Sequence, residues 1–455
     1  KKEGSIIMII ERKEYLEKLI AWKDKQLIKI VTGVRRCGKS MLLEIYRNYL
    51  KEHGIEEEQI ISINFEDLDY EELTDYRKLY KYLKERLIDG KMTYIFLDEI
   101  QNVTDFPKVL DSLYIKKNID IYVTGSNSKL MSSEISTYLT GRYISIPVYT
   151  LSFAEYLDFK KSDSRSPKEL LNEYLRLGGF PIVALGSFDE RSAYQIVEGI
   201  YNSVITNDIT KRHNIMNFDL FNRVVKYIVE NVGKTFSANA IAKFLKSEGR
   251  SLSVEAVYNY LNWLEKAFVI YRCQRYDLQG KSVLKTQEKF YLADASLKYC
   301  IMGFNPKSIA AMLENIVYFE LRRRGYEVYI GKNETKEIDF VAVQRDERIY
   351  VQVCRRLPEE SDREVANLLE IKDHYPKYVV MLDELGDGAD AGGKVVAREG
   401  LRLVKDDNTV GDVVQLAAAG RTVSKQRFKK LYCGRNDHRR IPVFRRKHLT
   451  VSIRV

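Results

Sequence analysis

Cysteine is scarce in this sequence, which has five in 455 residues and no two of them in a C-x-x-C pair. We therefore expect neither a disulfide framework nor a zinc site, and a reducing, cytoplasmic location. Long apolar runs are also missing, since none approaches the ~20 residues that a membrane-spanning helix needs. The apolar patch at residues 6–10 is too short for a signal-peptide core. Met8 is a candidate for the natural start, with residues 1–7 as an extension.

An excess of one charge is absent from most of the chain but not from its end. Residues 386–455 contain 16 Lys and Arg against 7 Asp and Glu, whereas the other 385 residues contain 58 against 57. A basic tail that binds nucleic acid is one interpretation. No aromatic interleaving accompanies this charge, so we favour the other interpretation, an atypical basic tail foreign to the domains before it.

What the sequence does contain is a phosphate-binding pattern. Residues 33–40 read G-V-R-R-C-G-K-S, after an apolar run and before a helical pattern at 41–50. In that setting the loop N–H groups and the helix N-terminus bind phosphate. Lys39 would reach the β- and γ-phosphates of ATP, and the Ser40 hydroxyl would bind Mg²⁺. The expected nucleotide contacts are Gly33, Val34, Arg35, Arg36, Cys37, Gly38, Lys39, Ser40 and Met41.

The surrounding sequence predicts an α/β fold. Near-continuous apolar strands alternate with helical patterns, which indicates a parallel sheet covered on both faces. The expected strands are 27–32, 60–65, 93–99, 120–125 and 143–149.

A second motif supplies the acidic partners that a phosphate loop needs. The apolar strand Y-I-F-L ends in Asp98 and Glu99. We expect Asp98 to hold the Mg²⁺ shell together with Ser40, and Glu99 to polarise the attacking water.

Further catalytic candidates follow the next two strands. A polar turn, T-G-S-N, ends at Asn127, which either contacts the γ-phosphate or the water or forms a plain turn. Hydrolysis also benefits from a cation on the developing charge. Arg142 is the candidate, with Arg35 and Arg36 as alternatives.

Together these stretches resemble a known group, the bacterial and archaeal AAA-type ATPases of unknown biological role whose ATPase domain precedes a domain of unknown function. The matching pieces include I-V-T-G-V-R-R-C-G-K-S, F-L-D-E-I-Q, L-S-F-A-E-Y and G-G-F-P, and the likeness runs from about residue 8 to 383. The resemblance implies a P-loop NTPase sheet, a helical lid, a winged-helix module and a C-terminal α/β restriction-endonuclease-like domain. The expected segments are 8–150, 151–235, 236–292 and 293–385, followed by the tail at 386–455.

Residues 237–268 have the rhythm of a helix-turn-helix, and residues 270–292 would form a wing. One interpretation is a DNA-binding winged helix with phosphate contacts from the wing. The other is a module for packing or for a protein partner. The basic residues of the wing are Arg272, Arg275, Lys281, Lys285 and Lys289.

The last domain has the residue order of a metal-dependent nuclease, with Glu314 on a helix and Asp339 on a strand. Two carboxylates would bind Mg²⁺, and a lysine would assist the water. Here Gln352 and Cys354 stand at the glutamate and lysine positions, so we expect a degenerate nuclease fold. Lys336 is left as a candidate for a migrated lysine.

The sequence thus predicts an ATPase that couples its nucleotide state to DNA, through the winged helix, or to a protein partner. The alternatives are a DNA-binding regulator that holds ATP without hydrolysing it, and an ATP-gated nuclease. The sequence does not decide whether the protein acts as a monomer or as an oligomer.

Overall fold

The structure is a computed structural model. It describes residues 10–126, 139–213, 215, 217–235, 237–280, 282–334, 336–355, 367–368, 370–382, 400–404 and 450–454. The candidate Asn127 and most of the basic tail therefore lie outside the described residues. Among the described residues, no helix combines the length and the apolar character that crossing a membrane requires.

A five-stranded parallel sheet forms the first part of the fold, and it confirms the predicted strands. Its spatial order is β2-β3-β4-β1-β5, with β1 between β4 and β5. Every residue of β1 and β3 is buried, as expected for strands covered on both faces. The strands are β1 (Ile28–Thr32), β2 (Ile60–Asn64), β3 (Thr93–Asp98), β4 (Ile119–Gly125) and β5 (Tyr143–Pro147).

Two layers of helices cover this sheet. One face packs Val31, Phe96 and Tyr122 into the core that holds α1 and α2. The other packs Ile30 and Leu97 against α3 and α4. These helices are α1 (Lys13–Ala21), α2 (Lys39–Glu52), α3 (Tyr76–Lys84) and α4 (Phe106–Tyr114).

The segment that the sequence predicts as a helical lid follows β5. The side chains of Ser152 and Ser166 form capping boxes at the first two helices, which fixes where each begins. A π-helical segment, Val204–Thr210, continues directly from the fourth lid helix. The lid helices are α5 (Phe153–Phe159), α6 (Pro167–Leu177), α7 (Pro181–Leu185), α8 (Glu190–Ser203) and α9 (Phe218–Glu230).

The segment with helix-turn-helix spacing forms two helices, α10 (Ala238–Ser247) and α11 (Val254–Lys266). The side chains of Ser237 and Ser253 cap their N-termini. A hairpin follows, formed by β6 (Ile270–Asp277) and β7 (Ser282–Leu292). Strand β6 also pairs with β8 (Glu327–Asn333), so the hairpin extends a larger sheet. The expected boundary at residue 292 therefore separates strands that the structure joins.

This second sheet is mixed and has the order β11-β10-β9-β8-β6-β7. Helices α12 (Ser296–Met302) and α13 (Ile309–Arg323) lie between β7 and β8 in the chain. The remaining strands are β9 (Lys336–Gln344), β10 (Glu347–Cys354) and β11 (Lys377–Met381). Two further strands, β12 (Gly400–Val404) and β13 (Thr450–Arg454), pair antiparallel with each other.

A buried ion pair lies within the first sheet. The Lys29 ammonium contacts the Asp120 carboxylate, and the Lys29 and Asp120 side chains are at most 1% exposed. Lys29 also donates to the Lys25 carbonyl at 2.7 Å, while Asp120 accepts from Tyr122 and from the Asp24 backbone, each at 2.9 Å. Burial lowers the pKa of Lys29 and raises the pKa of Asp120, so each charge depends on its partner.

Asp120→Asn is predicted to lower the free energy of unfolding by about 3–5 kcal/mol, because it leaves Lys29 buried without its counter-ion. Urea unfolding followed by circular dichroism measures the change. The matched control is Glu72→Gln, which removes an exposed partner of Lys78 and should leave the midpoint unchanged. Equal midpoints for the two variants would contradict the prediction.

Candidate nucleotide-binding site

The phosphate loop needs glycine at two positions. Gly33 has φ +153°, and a Cβ there would lie 2.1 Å from the Val148 carbonyl oxygen. Gly38 has φ +99° and directly precedes α2 as its N-cap. The first glycine lets the loop pass close to the chain after β5, and the second lets it turn into the helix.

Lys39 points back into this loop. Its ammonium donates to the carbonyl oxygens of Gly33 and Val34, at 3.0 and 3.2 Å, and lies 3.7 Å from a carboxylate oxygen of Glu99. The side chain is 4% exposed, so its charge faces the loop rather than solvent. A cation held there is in place to bind a phosphate that the loop encloses.

Asp98 ends β3 beside the start of α2. The Thr124 hydroxyl donates to its carboxylate, and Ser40 forms a second side-chain hydrogen bond. Burial raises the pKa of Asp98, against the effect of these two bonds. A hydroxyl and a carboxylate side by side are the hard oxygen ligands that Mg²⁺ prefers, so the residues fit the metal.

Glu99 has a different environment from its neighbour. Its N–H donates to the Thr124 hydroxyl at 3.0 Å, and its carboxylate accepts from Gln101 and from Ser126, the latter at 3.1 Å. Burial by itself would raise the pKa of Glu99, but the charge of Lys39 and the bond from Gln101 lower it overall. Glu99 is therefore ionised at neutral pH, as a group that polarises water must be.

The lid contributes a residue that sequence reasoning missed. Asp208, in the π-helical segment, accepts from Arg35 of the phosphate loop at 2.6 Å and from Ser126 at 3.3 Å. Arg35 also pairs with Glu66 at 2.8 Å. No local pattern around residue 208 marks it, because only the packing of the lid brings it to the loop.

A second missed residue anchors the loop from outside. Arg12 donates to the carbonyls of Cys37 and Tyr149, at 2.9 and 3.0 Å, and pairs with Glu155 of α5 at 2.7 Å. Cys37 is buried, and its thiol contacts the Val148 carbonyl at 3.4 Å, so its role is packing. Arg36, by contrast, is exposed.

Arg142 lies at the amino ends of the strands, opposite the end that carries the phosphate loop. Its carbonyl accepts from the N–H of Ile28, the first residue of β1, whereas the phosphate loop follows the last. Five residues of strand span roughly 15 Å. The Arg142 side chain pairs with Asp111 of α4. A role for Arg142 at the phosphate loop of its own chain is therefore wrong, and its catalytic role stays a prediction only for a neighbouring copy.

The acidic residues of the last domain do come together, around an unexpected lysine. Lys289 of β7 lies 2.9 Å from Glu314, 2.8 Å from Glu337 and 3.8 Å from Asp339. Lys336, the candidate for a migrated lysine, pairs with Glu370 instead. An ammonium thus occupies the centre of the carboxylates that the nuclease pattern would assign to a metal.

These contacts remove Lys289 and Arg272 from the five basic residues of the predicted wing. Lys289 is buried, and burial of Asp339 together with the charges of Glu314 and Glu337 raises the pKa of Asp339 to about 8, against the effect of Lys289. Arg272 pairs with Glu265 and Glu288, each at 3.2 Å. Neither Lys289 nor Arg272 is available to bind DNA phosphates, because internal carboxylates hold both charges.

A parallel sheet whose phosphate loop lies beside two carboxylates at the ends of its strands defines the class of P-loop ATPases. The sequence comparisons agree. A model of an AAA domain matches residues 25–157, and a model of a domain of unknown function (DUF8612) matches residues 168–308.

Similar chains extend over most of this one. An uncharacterized protein of Haemophilus influenzae is 40% identical over 375 residues, which is 82% of this chain and 93% of that protein. An uncharacterized protein of Methanocaldococcus jannaschii is 31% identical over 357 residues, or 74% and 77% of the two chains. The chain belongs to their family, AAA-type P-loop ATPases with a C-terminal domain of unknown function.

A solved structure, the Walker-type ATPase of Pyrococcus abyssi, is also similar. It is 16% identical, with a TM-score of 0.47, over 64% of this chain and 96% of its own.

Gly33→Ala is predicted to weaken nucleotide binding roughly tenfold, because the new Cβ displaces the loop from Val148 at a strained backbone angle. Titration with a fluorescent ATP analogue measures the affinity. Gly199→Ala in α8 is the control, since an added Cβ there would meet no atom within 4 Å apart from its own helix. The assignment of the loop is refuted if both variants bind like the unaltered chain.

Proposed function

We propose that this ATP-binding NTPase hydrolyses ATP with Mg²⁺ and couples its nucleotide state to DNA or to a protein partner. The observation that supports hydrolysis is that two adjacent carboxylates have different hydrogen-bond partners. Asp98 bonds to Ser40 and Thr124, while Glu99 turns away to bond with Gln101 and Ser126. This difference supports a role for Asp98 toward the metal and a role for Glu99 toward the water.

In this proposal the loop N–H groups and Lys39 bind the phosphates, and Mg²⁺ supplies charge stabilisation where Ser40 and Asp98 meet. Ionised Glu99 then accepts a proton from the attacking water. Lys39 lies 3.7 Å from Glu99, so the phosphate and the general base share one small site.

The partner is the second half of the proposal. The ion pairs of Arg272 and the burial of Lys289 favour a protein over DNA as the partner of the hairpin. Phosphate release measured with and without DNA separates an ATPase that DNA stimulates from a regulator that only holds ATP. Incubation with labelled DNA and Mg²⁺ or Mn²⁺ tests the nuclease alternative. The expected result is no cleavage, since the Lys289 ammonium lies among the carboxylates that would hold the metal.

Glu99→Gln is predicted to lower ATP turnover by about 10²–10⁴-fold while leaving ATP binding intact, because only the base is lost. Lys39→Ala is predicted to abolish turnover and to weaken binding as well. Phosphate release and titration with the fluorescent analogue give the two quantities.

The control for both variants is Lys51→Ala, which removes a half-exposed lysine on the same helix as Lys39. It should hydrolyse ATP at the rate of the unaltered chain. Undiminished turnover in Lys39→Ala or Glu99→Gln would rule out the assigned roles.

A further inference from the structure

Asp208 joins the helical lid to the phosphate loop through a buried ion pair. The Arg35 Nε donates to one carboxylate oxygen at 2.6 Å, and an Nη donates to the other at 3.4 Å. The Asp208 side chain is fully buried, whereas Glu66, the second partner of Arg35, is 48% exposed. The pair with Asp208 is therefore the one shielded from solvent, where charges interact most strongly.

Ser126 connects this pair to the proposed general base. Its hydroxyl lies 3.1 Å from a carboxylate oxygen of Glu99 and 3.3 Å from one of Asp208. A hydroxyl has one proton and donates to one acceptor at a time. Glu99 and Asp208 thus compete for the same donor, so a movement of Asp208 changes the hydrogen bonding of Glu99.

The segment that carries Asp208 also contacts the module that follows the lid. Residues 204–210 form a π-helix, a rare conformation that is frequent at functional sites. Three residues beyond it, the ring of His213 stacks on Trp263 of α11, with centroids 4.4 Å apart and planes 8° from parallel. One short stretch of chain therefore touches both the phosphate loop and α11.

We propose that Asp208 is a positioning residue that senses the γ-phosphate and passes the nucleotide state to α11. This inference rests on the proposed function. The γ-phosphate is an anion that attracts Arg35 and repels the carboxylate of Asp208. ATP therefore weakens the Arg35–Asp208 pair and displaces the π-helical segment, and the pair re-forms when phosphate leaves.

Linkage gives the proposal a distinctive consequence. If ATP binding works against the Arg35–Asp208 pair, removing the charge of Asp208 must tighten ATP binding by the same factor. We expect Asp208→Asn to bind AMPPNP with Mg²⁺ about 5- to 100-fold more tightly, with a smaller effect on ADP. Loss of a merely structural contact would weaken both ligands.

Trp263 supplies the second measurement. The chain has two tryptophans, so the variant Trp22→Phe leaves Trp263 as the single reporter of its contact with His213. In that background AMPPNP with Mg²⁺ should change the Trp263 emission and ADP should not. The change should disappear when Asp208→Asn is added.

Glu66→Gln is the matched control, because it removes a carboxylate from the same arginine without touching the lid. It should shift the AMPPNP affinity less than twofold and keep the Trp263 response. Weaker or unchanged binding by a folded Asp208→Asn, or a Trp263 response that persists in it, overturns the proposal.

The Trp263 emission of the Trp22→Phe variant tests the sensor proposal even if Asp208→Asn fails to fold. Binding of AMPPNP without a change in Trp263 overturns the sensor alone and leaves the ATPase proposal standing. A failure of this chain to bind any nucleotide overturns both.

Discussion

The position of β1 between β4 and β5 is the constraint on which the site depends. All the strands of this sheet are parallel, so their carboxyl ends lie at the same end of the sheet. The phosphate loop follows β1, Asp98 ends β3 with Glu99 directly after it, and Ser126 follows β4. Gly33 packs closely against Val148, directly after β5, and this contact fixes the position of the loop at the carboxyl ends of the strands.

Buried ion pairs recur among the described residues of this protein. Lys29 with Asp120 holds the interior of the first sheet, Arg35 with Asp208 joins the loop to the lid, and Lys289 holds the acidic residues of the second sheet. A buried pair is costly to break because the remaining charge has no solvent to receive it. The Arg35–Asp208 pair lies at the nucleotide site, where a phosphate can replace Asp208 as the partner of Arg35. This change of partner is what would report the nucleotide state to the lid.

Lys289 shows why some predictions from the sequence were wrong. A lysine in a basic hairpin has the local signature of a DNA contact, yet the hairpin belongs to the same sheet as Asp339. Its partners Glu314 and Glu337 lie 25 and 48 positions further along the chain. Arg142 directly precedes β5, so in a parallel sheet it lies at the amino ends of the strands, away from the phosphate loop that follows β1.

The sequence by itself determined the strands of the first sheet, the phosphate loop and the acidic pair after β3. Those features follow from local rules: apolar runs form buried strands, glycine permits the loop, and a strand–loop–helix order places Lys39 and Ser40. Tertiary structure alone decided that Asp208 reaches Arg35, that Ser126 lies between two carboxylates and that Lys289 is buried. These contacts join residues up to 173 positions apart, so they follow from packing and leave no local pattern to read.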